Sequence, residues 1–134
     1  MIKIRYSVFE TNSSSVHNMT LCDTNDYARW VNGEVLFNTG HGSSWGGNDW
    51  PQFVPVDEAS KYDKYYPYPE AEDPYDGSFK VVNEDGKTEW HPRTLVTFGE
   101  YQYYVVGDFD QFKEEHITPS GDEVIAFGYC GYDG

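Results

Sequence analysis

Residues 2–9, IKIRYSVF, place Ile2, Ile4, Tyr6 and Val8 on one side of an extended chain and Lys3, Arg5 and Ser7 on the other. A period of two describes a strand with one buried face, because successive side chains leave a strand on opposite sides. A chain that opens this way needs a sheet partner and a core beneath it. The polar run Thr11-Asn12-Ser13-Ser14 reads as a turn, after which Val16, Asn18 and Thr20 alternate with His17, Met19 and Leu21 as a second strand.

Farther along, Thr24 or Asn25 is positioned to cap a short helix through Tyr27, Trp30 and Val31, with Gly33 at its end. Residues 34–38, EVLFN, read as a strand, and glycines and prolines break up residues 39–51. Asp57 to Tyr66 predicts a short helix, after which Pro67, Pro69 and Pro74 impose an extended arm. SFKVV and KTEWH flank Asn83-Glu84-Asp85-Gly86, a strong hairpin pattern. In residues 97–112 the Tyr and Val content favours a strand. Against that, Thr97 and Glu100 form a capping box, and Phe98, Tyr101, Val105, Phe109 and Phe112 follow helical spacing, so a helix is expected. A final hairpin turns at Pro119-Ser120-Gly121 and ends in a buried strand, Val124 to Tyr129. The elements together predict an α+β fold: a single domain over residues 1–134, with an antiparallel sheet, one or two helices on one face, and an irregular arm at 57–76.

At 134 residues one core suffices without covalent staples. Cys22 and Cys130 are far apart in sequence and belong to no C-x-x-C or zinc-ligand spacing, so both are expected as reduced thiols, in keeping with a cytoplasmic protein. No apolar run approaches the length that spans a bilayer, and the opening lacks a leader pattern, so the chain is expected to start at Met1. Charge excludes more. The net charge is −14, and while residues 1–22 balance at +1, the remaining 112 carry 22 acidic and 7 basic side chains. Such a chain repels phosphates, so direct nucleic-acid or anionic-lipid binding is disfavoured.

Ser7-Val8-Phe9-Glu10-Thr11-Asn12-Ser13-Ser14-Ser15-Val16-His17 and the terminal Ala126-Phe127-Gly128-Tyr129-Cys130-Gly131-Tyr132-Asp133 cover about a seventh of the chain. Together they resemble the beginnings and endings of small uncharacterised proteins from bacteriophages and prophages of Gram-positive bacteria. The resemblance implies a mobile-element setting and the host bacterial cytoplasm. It brings with it no reaction and no site residues.

Several segments could carry chemistry. Ser15 and His17 share a face of the second strand, where a hydroxyl can meet an imidazole, and Glu10 or Asp23 could orient that histidine. The plainer reading is that the serines satisfy turn backbone groups, since no nucleophile-elbow turn is present. His17, His41, His91 and His116 show no ligand spacing, so neither metal nor cofactor is expected, and His91 reads as a hairpin-end residue. The glycine-rich loop 40–47 lacks the Lys-Ser/Thr of a phosphate-binding loop; the plainer reading is a mobile surface loop with its tryptophans tucked against the core, and the sharper one a contact loop built on Trp45, Asp49 and Trp50. The arm is the most distinctive surface. Tyr65, Tyr66, Tyr68 and Tyr75 are interleaved there with Glu70, Glu72, Asp73 and Asp76, so carboxylates can stand in for phosphates while rings stack on guanidinium groups; the plainer reading is a solvated loop whose tyrosines cover the edge of the core.

The leading expectation is therefore a binder and inhibitor of a basic, nucleic-acid-handling host protein, with the arm as its contact surface. A small hydrolase or transferase built on Glu10, Ser15 and His17, and a phage assembly component, are the competing readings.

Overall fold

The computed structural model describes residues 16–40 and 48–131. In chain order its elements are β1 (Val16–Asp23), α1 (Thr24–Val31), β2 (Val35–Asn38), β3 (Phe53–Pro55), a 3-10 turn (Val56–Glu58), α2 (Ala59–Tyr62), β4 (Phe79–Val82), β5 (Thr88–His91), β6 (Leu95–Val96), the single turn α3 (Phe98–Glu100), a π-helical turn (Tyr101–Val106), β7 (Asp110–Ile117) and β8 (Glu123–Cys130). Among the described residues all strand pairings are antiparallel, and the class is α+β. The strands among the described residues are distributed over three small sheets, and the chain forms two compact units. The expected strand at 2–9 lies outside the described residues.

The first unit comprises residues up to Arg29 and from Val106 onward. Its sheet has the order β1-β8-β7, with β8 in the centre, and the register slips at His17 between the pairs Val16–Cys130 and Asn18–Tyr129. Tyr27 of α1 meets Phe127 edge to face at 5.4 Å, and Lys113 lies over the Tyr27 ring. Asp23 caps α1, its Oδ1 accepting from Asn25 N–H at 2.7 Å. The cap thus sits one residue ahead of the expected Thr24 or Asn25, because Thr24 already belongs to the helix.

The same sheet settles the cysteines. Cys22 pairs with Ile125, five residues along β8 from Cys130. At about 3.4 Å per residue the two are roughly 17 Å apart, too far for a bridge. Both are buried free thiols, and burial, followed by the neighbouring Asp26 and Asp23, pushes the Cys22 thiol up to about 12. Thiol titration without reductant should therefore count two groups in the unfolded chain; a count of zero would contradict this placement.

The second unit, residues 30–105, is organised about β2, whose four residues are all buried in the middle of the sheet β3-β2-β6. On one face Trp30 is fully buried, with Phe37, Phe53, Phe98 and Tyr101 at centroid distances of 5.0 to 5.7 Å, and its indole N–H donates to Val96 O. On the other face Leu36, Val54, Ala59 and Leu95 form a second cluster, against which Trp50, Tyr62, Tyr66 and Tyr68 pack. A strand covered on both sides reads as a continuous apolar run, as EVLFN does.

The β4–β5 hairpin closes at Asn83–Gly86 as expected, with Asn83 Oδ1 accepting from Asp85 N–H and Lys87 N–H. The box at Thr97 and Glu100 is complete: Glu100 N–H donates to Thr97 Oγ1 and Thr97 N–H to Glu100 Oε1. The expected helix at 97–112, however, stops at Val106. Gly107 adopts φ +54, a left-handed conformation that ends helices, and Asp110 to Ile117 then enters the sheet. Strand propensity wins where Phe112 has β8 to pair with, opposite Gly128.

Candidate functional site

The arm leaves α2 at Asp63, and this carboxylate is its anchor. Asp63 is 4% exposed. Its Oδ1 accepts from Tyr65 N–H at 3.0 Å, and its Oδ2 accepts from Tyr68 OH at 2.7 Å and from His91 Nε2 at 3.1 Å. Tyr68 OH in turn accepts from Leu95 N–H, so one carboxylate links the arm to the end of β5 and the start of β6. Burial works against the charged carboxylate, but the bonds from Tyr65, Tyr68 and His91 outweigh it and hold its pKa below the ordinary value. Tyr68 moves the opposite way, raised by burial and by its bond to Asp63.

Arg93 is the second anchor. Its side chain is 7% exposed and carries an ion pair to Glu100 at 3.3 Å. The Nε–H donates to Gly77 O at 2.9 Å and the guanidinium also donates to Pro69 O, clamping two points of the arm eight residues apart. Three rings surround the guanidinium, Tyr68, Phe79 and Tyr104, at 5.4, 5.8 and 5.6 Å from its central carbon. Neither anchor could be found from local spacing. Asp63 and His91 are 28 residues apart, and Arg93 and Pro69 24.

The structure sorts the arm residues into two kinds. Tyr66 and Tyr68 pack on the core cluster, and Tyr65 lies against His91 at 4.5 Å. These three tyrosines serve the fold first. Tyr75 is 85% exposed, and Glu70, Glu72 and Asp76 are also exposed, with Asp73 half-buried. Three of these acids also fix local turns. Glu72 Oε2 accepts from Lys80 N–H, Asp73 Oδ1 from Tyr75 N–H, and Asp76 Oδ1 from both the hydroxyl and N–H of Ser78, which lower its pKa. Turn-capping consumes acceptor directions and leaves the negative charge in place. Next to the hairpin tip a shallow groove of about 350 Å³ adds Glu84, Asp85 and Glu89 against Lys64.

The contact loop divides differently. Trp45 lies outside the described residues. Asp49 is exposed, whereas Trp50 is half-buried and packs on Tyr62 at 6.2 Å. The buried Asn38 holds the loop base, its amide donating to Asn48 Oδ1, Trp50 O and Pro51 O. Trp50 is thus a half-buried residue packed against the core cluster of the second unit.

No family model, characterised protein or solved structure matches this chain.

Of the catalytic candidates, Glu10 and Ser15 lie outside the described residues and His17 is placed by its backbone at the register slip of β1. Among the described residues no three His, Cys, Asp or Glu side chains are grouped to hold a metal ion, and no helix is long and apolar enough to cross a membrane. The pair Asp63–His91 orients an imidazole, but the ring is packed among Tyr65, Phe79 and Tyr68. What this arrangement does chemically is hold an acidic loop in one place.

Proposed function

We propose that this protein is a phage-type acidic binding module that occupies the phosphate-binding surface of a basic, nucleic-acid-handling host protein and so inhibits it, a defence nuclease being the fitting class. The observation that carries this reading is the double clamp of Asp63 and Arg93 on the arm. A loop held at both ends presents its carboxylates with little ordering left to do on binding, which lowers the entropy cost of association. The unit bearing the arm holds thirteen acidic residues against five basic ones, and one of those five, Arg93, is consumed inside. A field of this sign speeds encounter with a cationic partner and makes the affinity fall with salt.

The experiment is capture from lysate of a Gram-positive bacterium at low and high salt, followed by competition with duplex DNA. The expected result is a basic protein that is retained at low salt, released at high salt, and displaced by DNA. A partner that resists both salt and DNA would overturn the charge-mimic reading.

A further inference from the structure

We infer that Tyr103, on the π-helical turn, and Tyr75, on the arm, form with the arm carboxylates a surface selective for arginine over lysine side chains of the partner. The inference rests on the proposed acidic binding role and adds which basic group the surface reads.

Tyr103 is 66% exposed and Tyr75 85%, and Tyr75 stands between Asp73 and Asp76 on the arm, its N–H bonded to the Asp73 carboxylate. The two rings belong to segments packed on each other. Tyr104 contacts Tyr103 edge to face at 4.9 Å, and the Tyr104 ring lies directly on Gly77, two residues beyond Tyr75. A Cβ at Gly77 would stand 3.0 Å from Tyr104 Cγ and Cδ2, so glycine permits this approach. The loop itself is closed by Gly77 N–H donating to Asp73 O and by Tyr75 N–H donating to Asp73 Oδ1. Glu70, Asp73 and Asp76 thus sit on the same short stretch of arm as Tyr75.

The molecule already binds one guanidinium by this chemistry. Arg93 lies among three rings, one of them Tyr104, and bonds a carboxylate and two carbonyls. Its guanidinium is buried and committed to these groups, so the exposed rings of Tyr75 and Tyr103 and the exposed carboxylates of Glu70 and Asp76 are left to serve a partner. A planar guanidinium can stack on a ring while donating two parallel bonds to a carboxylate, which a lysine ammonium cannot do. Charge complementarity and ring exposure therefore point to the same occupant, an arginine-bearing segment.

The test uses the full chain with octa-arginine and octa-lysine peptides, titrated at low and moderate salt. The expected result is salt-sensitive binding of both, with the arginine peptide about five- to tenfold tighter, the scale of two exposed cation–π contacts. Tyr75→Ala with Tyr103→Ala should weaken the arginine peptide several-fold more than the lysine peptide and so shrink the preference, while Tyr→Phe at both positions retains it. Both rings are exposed, so the double variant should keep its thermal midpoint, which is read in parallel. Equal affinity for the two peptides, or a preference untouched by the alanine variant, would overturn this inference and leave the acidic reading standing. Failure of both peptides to bind at low salt would overturn both.

Discussion

Asp63→Ala should destabilise the protein by about 3 kcal/mol, the scale of leaving buried donors without their acceptor. The substitution strips acceptors from Tyr68 OH, Tyr65 N–H and His91 at once. His91 softens the loss, because its side chain is 24% exposed and can turn to water. Tyr68 cannot do so as freely, since it is packed against the Leu36, Val54, Ala59 and Leu95 cluster. Asp63→Asn keeps one acceptor and the volume and should recover part of the loss. Urea unfolding of the three proteins measures it; an Asp63→Ala midpoint equal to that of the unaltered chain would contradict the anchor.

The same carboxylate gives a pH dependence of definite sign. Its folded pKa lies below the ordinary value, so the folded state holds the charged form more strongly than the unfolded chain does. That contribution is present above the unfolded carboxyl pKa of about 3.9 and is lost as the pH falls through the folded value. Asp63→Asn should therefore flatten this part of the acid limb of the stability profile.

Much of the fold was legible because it rests on local patterns. The hairpin at Asn83–Gly86, the capping box at Thr97 and Glu100, the β1 alternation and the terminal hairpin each need only a few neighbouring residues to specify them. The helix expected to reach Phe112 ended at Val106 because a nonlocal partner, β8, claimed Asp110 onward. The candidate site was legible as composition and illegible as geometry. Counting acids and tyrosines found the arm, but could not separate Tyr66 and Tyr68, which pack inward, from Tyr75, which faces water. Nor could it find Arg93, whose partners lie far away along the chain.

Removing charge from the arm without removing its acceptors should weaken partner binding more than any other surface change. Glu70→Gln, Glu72→Gln, Asp73→Asn and Asp76→Asn keep an oxygen for Lys80 N–H, Tyr75 N–H and Ser78 N–H, so the turns those acids cap are preserved. Each exposed charge contributes roughly 0.2 to 1 kcal/mol to a cationic contact, so the four together should cost about 1 to 4 kcal/mol at low salt and much less at high salt. Ser15→Ala with His17→Ala should leave binding unchanged, since neither residue belongs to the arm. The deciding measurement is calorimetric titration of the captured partner with the unaltered protein and with these two variants, at two salt concentrations. The expected result is a large loss for the four-charge variant at low salt that shrinks at high salt. Full affinity in that variant, with loss in the Ser15 and His17 variant instead, would contradict it.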